Sequence, residues 1–325
     1  MLLSVIIVSY NTKQLLLDTL NSVLINIKNS SLLNQSSEVL VVDNNSVDES
    51  VAASHQLLST SGVAFEVIAN QDNKGFASAN NQALTKAQGT YILLLNSDTI
   101  VKPGALEQLV TTFEKNPIQE STADLQSAGK SIDRLGIVAA QLYNPDGSIQ
   151  PQGGSFPTLF SLSSHMLMLD DIPVVGRFLP STQHTGKRQS KIQGQHLLTM
   201  DWVGGTAMMI RKETLQETGP LDQNIFMYGE DVELCLRAQA HHWDIAIDPQ
   251  AQIEHFGSAS STSENALKGE LKGYLYLWSK HKPLWQLPLV KLVLKAGCLL
   301  RVVVFGTISN QPAKVAVYRS LLREL

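Results

Sequence analysis

Two short stretches place carboxylates where they can do chemistry. In "LLLNSDT" (93–99) an apolar run stops on Asn96, Ser97 and Asp98, and in "MYGEDVELCLR" (227–237) Gly229 introduces Glu230 and Asp231 at the start of a helical pattern. A carboxylate at the end of a buried strand can hold a divalent cation, whose hard charge prefers oxygen ligands and bridges phosphates. At a helix start, Glu230 and Asp231 complement the macrodipole, or one of them serves as a general base against an acceptor hydroxyl. The residues by themselves leave both readings open. Asp43, in "VVDNNSVD" (41–48), is set to accept hydrogen bonds from a base N–H or a ribose hydroxyl, and Arg237 suits a phosphate or carboxylate. His255, in "QIEHFGSAS" (252–260), reads either as a structural histidine or as a metal ligand.

These residues need a frame. LSVIIVS (3–9), EVLVVD (38–43), AFEVIA (64–69) and YILLLN (91–96) are short and nearly continuous in hydrophobicity, as expected for strands buried on both faces. TKQLLLDTLNSVLINI, SVDESVAASHQLL and GFASANNQALTKA fit crossover helices between them, the second opening at Asp48 and Glu49 behind a Ser46 cap. The first hundred residues therefore predict a doubly wound, mostly parallel α/β sheet. Such sheets bind ligands beyond the carboxyl ends of their strands. There the polar groups Ser9-Tyr10-Asn11, Asp43-Asn44-Asn45-Ser46, Asn70 to Gly75 and Asn96-Ser97-Asp98 converge on one rim. Each alone is ordinary turn chemistry; four on one edge point to a site. Neither a G-x-G-x-x-G after strand one nor a Walker lysine motif is present, so a bound nucleotide must rest on carboxylates. Further on, Gly204 and Gly205 read as a glycine pair inside an apolar strand, a sign of close backbone approach to a ligand.

The chain has 325 residues, 43% hydrophobic, enough for one large α/β domain with an extension or for two smaller domains. A net charge of -4 without blocks of like charge excludes a nucleic-acid footprint. Cys235 and Cys298 sit in apolar or helical patterns and read as small core residues, which fits a reducing compartment. The apolar amino terminus reads as a buried strand and not as a signal peptide. Near the carboxyl end, "LWQLPLVKLVLKAGCLLRVVVFGTI" (284–308) is rich in Leu and Val but interrupted by Lys291, Lys295 and Arg301. It lacks the ~18 uncharged residues of a spanning helix. With Lys291 and Lys295 on one helix face and Trp278 and Trp285 just upstream of them, it reads either as a basic amphipathic helix on an anionic membrane surface or as a helix packed on the catalytic domain.

VSYN (8–11), VVDNNSVD (41–48), NKGFASANNQAL (73–84), YILLLNSDT (91–99), GGTAMMIRK (204–212), FMYGEDVELCLR (226–237) and His255 with Ser258 together resemble the inverting family-two glycosyltransferases. Within these they are most similar to the rhamnosyltransferase-like branch that builds bacterial surface polysaccharides. The resemblance runs in order from residue 3 to about residue 260 and implies a GT-A type sheet flanked by helices over 1–265, with a helical carboxyl-terminal extension over 266–325. It implies Asp231 as the catalytic base, with Glu230 beside it. It implies a nucleotide-sugar site from Ser9, Tyr10, Asn11, Asp43, Asn45, Asn73, Gly75, Asn80, Asn96, Asp98 and Arg237, and a sugar pocket at Trp202, Gly204 and Gly205. A divalent cation, Mg2+ or Mn2+, would be held by Asp98 and His255. The partners implied are a nucleoside-diphosphate sugar and a glycan or lipid-linked acceptor, handled on the inner face of the cytoplasmic membrane. Two departures stand out: Asn96-Ser97-Asp98 carries a single carboxylate where the family's motif carries two, and residues 116–136 read as a surface insertion. A sugar-phosphate nucleotidyltransferase also uses a nucleotide-binding α/β sheet but calls for a glycine-rich basic loop where VSYNTKQ stands. A non-catalytic, membrane-associated nucleotide-sugar-binding protein would keep the sheet and lose the base, yet Asp98 and Asp231 are both present.

Overall fold

The computed structural model describes residues 1–118, 134–170, 172, 189–192, 195–257, 263–308 and 310–325. Most of the 116–136 stretch, and Ser258, therefore lie outside the described residues. The chain forms two compact units. The first comprises Met1–Gly153, Thr185–Phe226 and Glu230–Ser260, and the second Gly154–His184, Met227–Gly229 and Ser261–Leu325.

The first unit is built on β1 (Leu3–Ser9), β2 (Ser37–Asp43), β3 (Ala64–Ala69) and β4 (Tyr91–Asn96), linked by α1 (Lys13–Asn29), α2 (Ser50–Ser59) and α3 (Gly75–Leu84). After β5 (Thr99–Val101) and α4 (Ala105–Lys115) come β6 (Leu135–Tyr143), β7 (Ile149–Gln150) and β8 (Gly153–Gly154). Next are β9 (Gln189–Ile192), β10 (Gln195–Thr199), β11 (Trp202–Val203) and β12 (Ala207–Arg211), then α6 (Lys212–Thr218), α7 (Glu230–Ala240) and β13 (Asp244–His255). The large sheet runs β3-β2-β1-β4-β12-β6-β13-β10-β9. The first four strands are parallel and level at their carboxyl ends, Ser9 facing Asp43, Asp43 facing Ala69 and Val8 facing Asn96. β12 enters antiparallel between β4 and β6.

β1, β2 and β4 are buried on both faces as their composition predicts, but β3 is the sheet edge and stays half-exposed. None of its residues is fully buried, a distinction that a short hydrophobic run does not encode. The second helix begins at Ser50, not at Asp48 and Glu49. Glu49 sits at φ 65, and the Asp48 carboxylate accepts from the Lys13 and Ser50 N–H groups at 2.8 and 3.2 Å. Asp48 therefore ties the first residue of α1 to the first residue of α2.

In the second unit, α5 (Leu159–Met166) opens on a capping box, Thr158 Oγ1 accepting from the Ser161 N–H at 3.1 Å. α8 (Ser263–His281), α9 (Leu287–Val303) and α10 (Pro312–Glu324) complete it. α9 buries Val290, Leu294, Gly297 and Cys298. A side chain at Gly297 would collide with Met166. Arg301 is buried and donates to the carbonyls of His165 and Met166, closing the carboxyl end of α5. Trp278 is fully buried, its Nε1 donating to Gln286 Oε1 at 3.0 Å, so it is unavailable as a membrane anchor. Trp285 is 67% exposed and shares the open side of this segment with Leu284, Leu289, Lys291, Leu292, Lys295 and Leu299. Among the described residues no helix is long and apolar enough to cross a membrane.

Candidate functional site

The polar strand ends are laced together by their own side chains. Thr12 Oγ1 lies 3.2 Å from Ser9 Oγ and 3.0 Å from Ser97 Oγ, tying the end of β1 to the end of β4. Asn11 takes φ 53, a left-handed conformation that its short amide tolerates. Its N–H donates to Ser46 Oγ at 2.8 Å and its Oδ1 accepts from the Val47 N–H at 2.9 Å, so the loops after β1 and β2 hold each other. Tyr10 and Asn45 are exposed on the same loops. Asp43 accepts from the Ser46 N–H through Oδ2 at 2.8 Å, while its buried Oδ1 has no hydrogen-bond partner. A buried carboxylate oxygen left unpaired is costly, and a ribose hydroxyl or base N–H is the kind of donor that would relieve it.

Beyond β3, Asn73 Oδ1 accepts from the Gly75 N–H at 3.0 Å. Gly75 has φ 80, and a Cβ there would run into the carbonyl of Phe226, which accepts from the Phe76 N–H at 2.8 Å. Only glycine meets both conditions. Asn80 is buried inside α3 with Nδ2 donating to the Phe76 carbonyl at 2.9 Å, so its amide serves its own helix.

At the end of β4, Asn96 donates its N–H to the Thr206 carbonyl at 2.9 Å, which fixes the loop before β12 against the rim. Asp98 is buried, and its Oδ1 lies 3.3 Å from His255 Nε2. β5 pairs with the last residues of β13, Thr99 opposite His255, and this pairing brings the two side chains together. The other imidazole nitrogen, Nδ1, lies 2.6 Å from Gln150 Oε1. Gln150 was not legible as a site residue; it arrives on β7, the return strand of a hairpin from β6 whose Asp146-Gly147 turn was the available sequence signal. Among the described residues no cluster of three or more His, Cys, Asp or Glu is placed to hold a metal.

Asp231 lies in the first turn of α7. Its Oδ1 accepts from the Val232 N–H at 2.7 Å and its Oδ2 from the Gly205 N–H at 3.1 Å. Gly204 and Gly205 lie in the link between β11 and β12, not inside a strand. The Gly204 N–H donates to the Gln152 carbonyl at 2.7 Å, and a Cβ on Gly205 would stand 3.2 Å from the Phe76 ring. Trp202, on β11, is half-buried, and Glu230 is buried at the first position of α7. Gln152 is a second residue that sequence reasoning missed: its amide is buried with neither polar atom hydrogen-bonded. Asp231 is thus joined by one hydrogen bond to Gly205, whose neighbour Thr206 is joined to Asn96, two residues before Asp98.

Arg237 is not brought to this rim. Its guanidinium is spent on Glu233, an ion pair at 2.7 Å, and on the carbonyls of Thr218, Gly219 and Pro220, so it closes the carboxyl end of α6 in place of binding an anion. Burial pushes the Cys235 thiol well above its ordinary range, as expected of a core residue.

Residues 4–134 match the family model described as glycosyl transferase family 2. The N-acetylglucosaminyl-diphospho-decaprenol L-rhamnosyltransferase of Mycobacterium tuberculosis (strain CDC 1551 / Oshkosh) is 23% identical over 266 residues, covering 77% of this chain and 78% of that protein. Among solved structures, GalNAc-T7 with UDP, GalNAc and Mn2+ aligns with a TM-score of 0.58 and 16% identity, over 86% of this chain and 47% of that one. The mannosyltransferase PcManGT from Pyrobaculum calidifontis with GDP-Man and Mn2+ aligns with a TM-score of 0.53 and 14% identity, over 99% of this chain and 83% of that one. The nucleotidyltransferase alternative finds no counterpart among these matches. With strand order and family match in agreement, the chain has a GT-A type fold, matches the glycosyl transferase family 2 model over residues 4–134 and is a glycosyltransferase.

Proposed function

We propose that this protein transfers a sugar, with inversion at the anomeric carbon, from a nucleoside-diphosphate sugar to a hydroxyl of a lipid-linked or glycan acceptor in the synthesis of a bacterial surface polysaccharide. The observation that carries the reading is the Asp231 carboxylate, oriented by the Gly205 N–H next to Thr206, whose carbonyl holds the end of β4 just before Asp98. Asp43, with its unpaired Oδ1, receives the nucleoside. Asp231 takes the proton of the acceptor hydroxyl as the oxygen attacks the anomeric carbon from the face opposite the diphosphate. Rhamnose as the transferred sugar and a diphospho-lipid as the acceptor are supported by the mycobacterial relative's name.

The residues at Asp98 fit a divalent cation. Gln150 Nε2 donates to Asn144 Oδ1 at 2.8 Å, so Gln150 presents its oxygen to His255 and the proton sits on Nδ1. Nε2 then turns a lone pair toward Asp98 Oδ1 at 3.3 Å, and two such atoms face each other stably only across a proton or a cation. Asp98 and His255 would hold Mn2+ or Mg2+, which when bound supplies positive charge to the departing diphosphate. The exposed Trp285, Leu289 and Leu292 beside Lys291 and Lys295 support seating on an anionic membrane surface, where a lipid-linked acceptor resides.

The test is to incubate the purified chain with UDP-, GDP- and dTDP-sugars, with and without Mn2+, and an N-acetylglucosaminyl-diphospho-lipid. Transfer with inverted configuration by NMR supports the reading; a chain that binds no nucleotide sugar and hydrolyses none of them rejects it.

A further inference from the structure

We propose that Gln150 is a positioning residue that locks the proton of His255 on Nδ1 and so keeps the Nε2 lone pair turned toward Asp98. The role of that lone pair rests on the cation reading above, but the tautomer itself does not.

Four linked groups carry the inference. The Asn144 N–H donates to the Ser148 carbonyl at 2.8 Å and the Gly147 N–H to the Asn144 carbonyl at 2.9 Å, closing a tight turn with Gly147 at φ 81. Asn144 Nδ2 donates to Ser148 Oγ at 2.9 Å, which leaves Asn144 Oδ1 as an acceptor pointing along the hairpin. Gln150 Nε2 donates to that oxygen at 2.8 Å, so the Gln150 amide cannot turn over without setting two carbonyl oxygens against each other. Its Oε1 is thereby committed to His255 Nδ1 at 2.6 Å, and an oxygen without hydrogen can only accept. The backbone pairing fixes the distance as well: Gln150 sits opposite Leu142 on β6, whose neighbour Tyr143 sits opposite Glu254 on β13. A neutral imidazole has one N–H, and the group that receives it decides which nitrogen is left to act. Here the turn decides it, three side chains away from Asp98.

The closing experiment reads the tautomer directly. The full chain is labelled with 15N-histidine, and the His255 signals are identified by their loss in His255→Asn. Long-range proton–nitrogen spectra of the wild type are expected to show a protonated Nδ1 and an unprotonated Nε2 for His255. Gln150→Leu removes the acceptor and is expected to shift His255 toward the Nε2-protonated form, while Gln150→Glu, which keeps an acceptor, retains the wild-type pattern. A wild-type spectrum with the proton on Nε2, or a Gln150→Leu spectrum identical to wild type, overturns the proposal. In parallel, calorimetry with Mn2+ and UDP or dTDP should show about 10- to 100-fold weaker Mn2+ binding for Gln150→Leu, with Gln150→Glu restoring it. Tautomer movement in a protein whose wild type binds no Mn2+ leaves Gln150 as the positioning residue and rejects only the cation reading.

Discussion

Asp98 Oδ1 and His255 Nε2 face one another at 3.3 Å although 157 residues of chain separate the two names, and nothing else of like chemistry among the described residues joins them. In the proposed reading such a pair would offer a cation two ligands. Asp98→Asn keeps the shape and removes the charge. Mn2+ affinity measured by calorimetry in the presence of nucleoside diphosphate is expected to fall by about tenfold or more, with unfolding temperature little changed.

Asp231→Asn tests the base. The asparagine Oδ1 can still accept from the Val232 N–H and preserve the helix start, so the fold should hold. Sugar transfer should fall by roughly 10²- to 10⁴-fold while donor affinity barely moves. A variant that folds, binds donor and transfers at the parental rate rules Asp231 out and turns attention to Glu230.

Asp43→Ala removes the unpaired Oδ1 and the acceptor of the Ser46 N–H together. Nucleoside diphosphate binding should weaken by about 10-fold or more on the scale of a hydrogen bond to a charged group. Unchanged affinity by calorimetry would dismiss it as a nucleotide ligand.

The exposed side of the 284–299 segment is better tested by substitution than by deletion, because removing the tail would uncover Trp278, Met166 and the α5 carbonyls that Arg301 caps. Trp285→Ser with Leu292→Ser changes only exposed positions. Co-sedimentation with vesicles containing anionic lipid should fall by about tenfold or more, since burying even one such side chain is worth about 1.5–3 kcal/mol. Equal partitioning of variant and parent removes the membrane from the account.

Cys235 is fully buried, and loss of solvation raises its thiol above the ordinary range. The native protein should keep that thiol unmodified by Ellman's reagent near pH 8 and release it on unfolding. The sign for stability follows: a raised value in the folded state contributes fully below about pH 8.5, where the unfolded thiol titrates, and is lost as pH rises beyond it. Cys235→Ala should flatten that alkaline decline.

Strands one, three and four occupy the residues that their apolar runs predict, and the rim they end on is where the polar clusters pointed. Local pattern suffices there because each crossover is short and each strand is marked by its own punctuation. The rest depends on pairings between distant segments. Nothing in AMMIR announces that β12 runs against β4, and nothing in DGSIQPQ announces that Gln150 meets His255. Arg237 illustrates the converse: its type fits an anion, but three nearby carbonyls and Glu233 reach it first.

The antiparallel insertion of β12 also bears on how the chain folds as it leaves the ribosome. β4 borders β1 on one side, and its other neighbour is not made until Ala207–Arg211 has been synthesised. Until then Tyr91–Asn96 is an unpaired, leucine-rich edge, the kind of surface that recruits a second chain or a chaperone. Long-range closure of this sort also slows folding. The segment 4–134 that matches the family model ends before β12, so an isolated fragment of that length would leave the β4 edge open.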